Sequence, residues 1–292
     1  MSALSGKFEQ LCTLSISGIS VKFQLTQLKG DLMKARILFI TFITMLVMAG
    51  CAKKGPSPNL CPTVCDGLVA YYPFYGDATD KSGNGNDGKV VGASMTKDRN
   101  GYPNHAYRFE GGHVLISNPN NFLEGSFSLV ANTKLNDIPV VSSGFQEVGI
   151  LVAEFRYHGI SYRIFPNNTQ KVLMTLREPS GESSTRVVQV IHPIKNPKSY
   201  HHFVAVADAG KQKLLLYVDG EFKQQLRWTG KIAASRATEK NWALGKMYPK
   251  ESDWEKRVLN GDIDEVRLYN RALSADEVKE LYLFTSAFPP AK

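Results

Sequence analysis

The sequence is poor in the features that announce a function most directly. It has four cysteines and six histidines in 292 residues, and neither set gathers at the close spacing that a metal site needs. His201 and His202 are adjacent, so on a strand they face opposite ways. No Ser/His/Asp arrangement, no phosphate-cradling glycine loop and no internal repeat occurs along the chain. Nucleotide binding and the common nucleophilic hydrolases therefore have no basis in it. Long hydrophobic runs are missing too. The most extended, Ile37 to Met48, would span about 18 Å as a helix, too short for the hydrocarbon core of a bilayer. Nor does one sign of charge dominate. The 35 basic and 27 acidic side chains are mixed along the chain, which gives no case for nucleic-acid binding.

What is present begins with an address for export. Met33-Lys-Ala-Arg36, the apolar run and the small pair Ala49-Gly50 have the layout of a signal peptide. With Cys51 directly after, the segment resembles the lipobox of bacterial lipoproteins, Met48 standing where that pattern prefers Leu. The resemblance implies that Cys51 is acylated, begins the mature chain and makes the lipid membrane its first partner. Ala52 after the cysteine is similar to outer-membrane sorting signals, so the expected location is the bacterial cell envelope. A plain signal peptide, or a signal anchor behind a cytoplasmic tail, is the alternative. Residues 1–32 then read as an extension ahead of a start at Met33, and 33–50 as the signal peptide. Removing residues 1–50 takes away five basic and two acidic side chains and leaves a net charge of +5. Residues 51–66 form a lipidated tether, polar and Pro-containing. Outside the cytoplasm Cys61 and Cys65 can join, being the remaining cysteines of the mature chain.

From residue 67 onward, short apolar runs alternate with turns. Strands are expected at Leu68–Phe74, 106–109, 113–116, 127–130, 149–153, 161–165 and 171–176, and again at 186–191, 202–207, 213–218 and 261–269. Gly, Asn, Asp and Pro separate most of them, the pattern of a sandwich. Asp219-Gly220 between Lys213–Val218 and Glu221 marks a hairpin. One helix is expected after Ser274, where Ser-Ala-Asp-Glu277 forms a capping box ahead of Val278, Leu281 and Tyr282.

Several of these pieces occur together in one known family. Gly67-Leu-Val-Ala-Tyr-Tyr-Pro-Phe74 with Asp80-Lys-Ser-Gly-Asn-Gly-Asn86-Asp-Gly88, and the close Gly261-Asp-Ile-Asp-Glu-Val-Arg-Leu-Tyr-Asn-Arg-Ala-Leu-Ser274, resemble the laminin-G-like jelly-roll domains of the concanavalin A-like lectin/glucanase superfamily. Ala106–Gly112, His201–Ala205, Leu216–Gly220 and Ala243–Gly245 lie between them in family order. The resemblance implies an all-β jelly-roll sandwich of two antiparallel sheets over residues 67–283, with one short C-terminal helix and a tail at 284–292. Asn132 and Tyr200 stand near positions where the family usually has Trp.

The resemblance also implies a structural calcium ion. Carried onto this chain, its ligand is Asp264, with a glycine turn at Gly111 or Gly112, and carbonyls and waters can supply most of the six to eight oxygens. Otherwise Asp264 caps local amides or pairs with Arg267 or Arg271. Asp77 and Asp80 are either further oxygen donors or residues that shape their loop through Asx hydrogen bonds. The Glu-x-Asp-x-x-Glu type motif of the superfamily's glucanases is missing, and hydrolysis needs a carboxylate pair. The expectation is thus a non-catalytic module that binds a glycan or an envelope protein and no nucleic acid or nucleotide. Trp228 and Trp254, read as loop residues, are its candidate glycan contacts, while Trp242 reads as core. A glycoside hydrolase with a non-standard site and a structural envelope lipoprotein are the alternatives.

Overall fold

The computed structural model describes residues 12–16, 19–23, 61–116, 125–153, 158–166, 169–181, 184–233, 241–247 and 257–286. The signal segment, Cys51 and Trp254 lie outside the described residues. Residues 1–55 and 56–292 form separate units. In the first, β1 (Cys12–Ile16) pairs antiparallel with β2 (Ile19–Phe23). That pairing was not expected. The strict polar–apolar alternation of Thr13-Leu-Ser-Ile16 and Ser20-Val-Lys-Phe23 supplies the two-residue period a strand uses.

The second unit is the expected sandwich. In chain order its early strands are β3 (Leu68–Tyr72), β4 (Gly88–Val91), β5 (Ser94–Thr96), β6 (Ala106–Glu110), β7 (His113–Ile116) and β8 (Phe127–Leu135). β9 (Gln146–Ala153), β10 (Gly159–Ile164), β11 (Gln170–Pro179) and β12 (Thr185–Ile194) follow. The rest are β13 (His201–Asp208), β14 (Lys213–Val218), β15 (Glu221–Arg227), β16 (Trp242–Leu244) and β17 (Asn260–Tyr269), and α1 (Ala275–Ser286) ends the described chain. One sheet runs β15-β14-β13-β8-β17-β6-β5, with β3 also on β17; the other runs β12-β11-β10-β9-β16-β7-β4. Every strand pairing is antiparallel among the described residues.

The core lies where the two inner faces meet. Phe109, Phe127, Tyr162, Phe203, Trp242 and Leu268 are buried there, and Tyr162 meets Phe203 edge-on with ring centroids 5.6 Å apart. Each aliphatic or Phe side chain fully removed from water contributes about 1.5–3 kcal/mol. A second, smaller cluster lies on the outer face of the eight-stranded sheet. There Val278 and Leu281 of α1 cover Val130, Val204 and Tyr269. The helix starts as its sequence predicts: the Ser274 amide donates to the Glu277 carboxylate at 2.8 Å, and the Glu277 amide donates to Ser274 Oγ at 3.2 Å. The Asp219-Gly220 turn has positive φ at both residues, which matches the twist of β14 and β15.

β17 organises everything that follows. β8 lines one of its edges; β6 lines the first half of the other, and β3 the second half. Where β6 gives way to β3, the register against β8 slips between Asp264 and Arg267, and Glu265 takes a φ of 51°. This is a β-bulge. It sends two consecutive carboxylates, Asp264 and Glu265, to the outer face while Ile263, Val266 and Leu268 stay in the core.

Just beyond the bulge, Arg267 is fully buried. Its guanidinium lies 4.3 Å from the Tyr71 ring centre, and it donates to Glu265 at 3.2 Å and to the Thr63 carbonyl at 3.0 Å. Tyr71 Oη donates to the other Glu265 oxygen at 3.1 Å. Thr63 lies inside the loop closed by the Cys61–Cys65 disulfide, so the entrance of the domain is tied to its last strand. Replacing Arg267 by Met would leave the buried Glu265 without its counter-ion, with Tyr71 as its remaining hydrogen-bond donor, at a cost of roughly 3–5 kcal/mol. Urea unfolding should show that loss, with part of it recovered on adding Glu265→Gln. A loss below about 1 kcal/mol would contradict this reading.

Candidate functional site

The loop between β5 and β6 folds over the outer face of the eight-stranded sheet. Asp98 shapes it from within, its Oδ1 accepting the amides of Asn100 at 2.9 Å and Tyr102 at 2.8 Å. Arg99 Nη1 reaches down to Asn132 Oδ1 at 2.9 Å and pins the loop to β8. Asp98 and Arg99 border two depressions, one on each side of the loop.

The first is a small pocket of about 130 Å³ with Asp264 and Glu265 in its wall and Tyr75, Tyr102 and His105 around it. Asp264 is 3 % exposed. Burial drives its carboxyl well above the usual range, the neighbouring Glu265 charge adds to this, and Arg99 offsets part of it. Asp264 pairs across the sheet with Asn132, and Asn132 with His202. This polar row is short of partners: among the described residues, Arg99 Nε, Asn132 Nδ2 and both His202 ring nitrogens make no hydrogen bond. Burial, with Arg99 nearby, pushes the His202 imidazole down to about 3, so it is neutral in the folded protein.

The second depression is an open groove of about 590 Å³. Its floor is Asp262, 1 % exposed. Asp262 accepts two hydrogen bonds from Arg108, at 3.0 and 3.2 Å, and one from Asn136 at 2.6 Å, and Lys134 Nζ stands 3.2 Å away. Burial alone would raise the Asp262 carboxyl, but these donors outweigh it and hold the group below its ordinary value. Tyr200 forms a wall, its Oη donating to the Lys97 carbonyl at 3.2 Å and its ring 5.4 Å from Lys134 Nζ. Lys97 and Lys198 stand exposed at the rim.

Of the described residues singled out from sequence, only Asp264 lines the small pocket. Asp80 is fully buried in the loop after β3. Its oxygens accept the amides of Tyr71, Ser82 and Asn86 and the Ser82 hydroxyl, at 2.8–2.9 Å. Asp77 accepts the Thr79 amide at 2.9 Å. Both therefore shape their loop. Gly111 and Gly112 make the turn from β6 to β7. A Cβ on Gly112 would sit 2.3 Å from the Gly92 carbonyl carbon, so that position admits glycine alone. The Cys61–Cys65 disulfide forms as expected.

Trp228 is a correction. It is 2 % exposed and part of the main core, its indole N–H donating to the Asp208 carbonyl at 3.3 Å. Its polar neighbours Arg227 and Thr229 read as loop, yet the ring turns inward and is closed to a sugar. Asp264 pairs with neither Arg267, which holds Glu265, nor Arg271, which holds Glu277 at 2.6 Å. A carboxylate such as Asp264 has the hard-donor chemistry that suits calcium, but Glu265 beside it is held by Arg267 and Tyr71, and Asp98 accepts amides of its own loop. Among the described residues, no three His, Cys, Asp or Glu converge closely enough to hold a metal.

Folded Asp264 holds its proton more tightly than the unfolded chain does. Its contribution to stability is therefore greatest at low pH and is lost as pH rises through the ordinary carboxylate value toward the raised one. In chelator at pH 7, Asp264→Asn should raise the melting temperature, and the difference from the parent should shrink toward pH 4. A variant that melts lower than the parent in chelator would contradict the burial argument.

A profile of the laminin G 3 family, described as the concanavalin A-like lectin/glucanases superfamily, matches residues 109–279. No curated protein is similar enough to stand as a relative. Solved structures share the fold at low identity. The binding domain of botulinum neurotoxin DC in complex with SialylT has a TM-score of 0.54 at 14 % identity, covering 75 % of this chain and 52 % of that one. The same domain in complex with rat synaptotagmin II gives 0.52 at 13 % over the same shares. The binding domain of Paraclostridial Mosquitocidal Protein 1 gives 0.55 at 14 %, covering 76 % and 53 %. The match thus spans about half the length of each of these chains.

Proposed function

We propose that this chain, which belongs to the concanavalin A-like lectin/glucanase superfamily, is a non-catalytic recognition module that binds a glycan or a protein at the bacterial cell envelope. The groove over Asp262 carries this reading. Its volume of about 590 Å³ falls within the roughly 300–1,000 Å³ of small-molecule sites. Its side chains are held from beneath by a buried carboxylate. The two complexes of the neurotoxin domain, one with SialylT and one with synaptotagmin II, support both ligand classes for this fold.

Other deeply buried carboxylates are tied to protein donors. Glu147 accepts Ser161 Oγ at 2.8 Å and Arg163 Nη2 at 2.9 Å, and Glu178 accepts Arg186 Nε at 2.7 Å and the Thr229 amide at 2.6 Å. One observation favours a hydrolase instead. Asp264, with its carboxyl raised by burial, stands beside a second carboxylate, Glu265, and glycoside hydrolysis needs a carboxylate pair. The size of that pocket, about 130 Å³, falls well short of the roughly 300 Å³ at the low end of ligand sites. It suits an ion or a single functional group better than a sugar ring. A structural calcium ion there would rest on Asp264, with carbonyls and waters as its other oxygens, and would supply charge neutralisation rather than chemistry. Attachment at the envelope rests on acylated Cys51.

Two experiments test this reading. A glycan array probed with the full chain, with and without calcium, beside a reducing-sugar release assay, should give binding without release. Release of sugar that survives rigorous purification would overturn the non-catalytic part. Cys51→Ala, or globomycin treatment, should block maturation to the acylated form and free the chain from the membrane fraction. Unchanged membrane attachment would refute the anchor.

A further inference from the structure

The charge of the groove is one-sided. Lys97, Arg99, Arg108, Lys134 and Lys198 border it, against two carboxylates, Asp98 and Asp262. Neither carboxylate is available to a ligand. Asp98 accepts the amides of its own loop through Oδ1 and has Oδ2 3.9 Å from His105 on the side of the small pocket, and Asp262 lies buried beneath Arg108 and Lys134. Asp262 works as an internal counter-ion: it fixes two cations in place and cannot cancel five. Arg108 gives Nε and Nη2 to Asp262, and its Nη1 is left with no protein acceptor among the described residues. Arg108 is partly exposed and borders the groove, so an anionic ligand can compete with water for that donor, and charge-assisted bonds of this kind are stronger than neutral ones.

We propose that this groove binds an acidic polysaccharide through carboxylate or sulfate groups on its sugar rings. The proposal rests on the recognition reading above and names its ligand class. Three features favour a polysaccharide over an anionic membrane. Tyr200 supplies an aromatic wall, and Thr96 and Ser199 supply hydroxyls at the edge, as polar sugar rings require. The volume of about 590 Å³ admits sugar rings. And among the described residues, none of the large exposed hydrophobics, such as Val140, Phe222 and Leu283, borders the groove to enter a bilayer.

The test uses the full chain and four probes at 0.15 M NaCl: a heparin-derived octasaccharide, an oligogalacturonate of equal length, a neutral laminari-oligosaccharide and phosphatidylglycerol vesicles. The parent should bind one or both acidic oligosaccharides and neither other probe. Lys97→Ser with Lys198→Ser removes two exposed rim cations without touching the buried network, and should weaken that binding about tenfold, with a shallower salt dependence. The control pair Lys89→Ser with Lys211→Ser, exposed and outside the groove, should bind as the parent does. Equal loss in the control pair, or preference for the vesicles, would overturn the proposal. Failure with both acidic probes, while the array still shows a neutral glycan or a protein partner is found, sinks this inference alone. Failure with every probe and partner sinks the recognition reading with it.

Discussion

β17 has to satisfy three neighbours with ten residues. It keeps β8 along one edge, and hands the other from β6 to β3 partway along. An ideal strand would keep one alternation of faces throughout. The left-handed Glu265 breaks that alternation and restarts it, so that Ile263 and Val266 both remain inward although three positions separate them. A left-handed glutamate is uncommon. The surrounding bonds hold it there: Glu265 is gripped by Arg267 and Tyr71, and Arg267 in turn holds Thr63 at the entrance of the domain.

The same strand sets the character of the outer face. Asp262 and Asp264 lie two apart and share that face, yet their surroundings drive them in opposite directions. Asp262 has Arg108, Lys134 and Asn136 and stays ionised; Asp264 has Glu265 beside it and only Arg99 opposite, and tends to keep its proton. One strand therefore carries the floor of a basic groove and the wall of an acidic pocket, and the Asp98–Arg99 loop divides them. The polar row through Asn132 and His202, with its unpartnered donors, runs sideways from this junction toward α1, where His202 lies 5.8 Å from the Tyr282 ring. Asn132 stands near a position where the resemblance to the family implies Trp, so at this point the row is built of side chains that pack less and bond more.

Much of the scaffold is legible in the sequence because its signals are local. Asp219-Gly220 fixes a hairpin by backbone preference, Ser274 and Glu277 fix a helix start by reciprocal hydrogen bonds, and the run Gly261–Tyr269 names its strand. The short strands β4, β5 and β16 are less visible, being three or four residues each and bordered by glycine or polar segments. The candidate site is nearly invisible. Nothing local marks Glu265 as the bulge, since Asp-Glu-Val-Arg reads as ordinary strand. Arg108, Lys134, Lys198 and Asp262 come from four separate stretches that only the sheet order brings together. Trp228 misleads for the same reason: its neighbours in sequence are polar, and its neighbours in space are the core.

The most direct measurement is hydrogen exchange on the full chain, free and saturated with a glycan or protein ligand. Binding over β17 predicts slowed exchange in the Lys97–Arg108 loop and strand, around Lys134, and at Lys198–Tyr200, with the seven-stranded sheet unchanged. Protection confined instead to β9–β12, around Glu147 and Arg163, would place recognition on the opposite sheet and contradict the site described above.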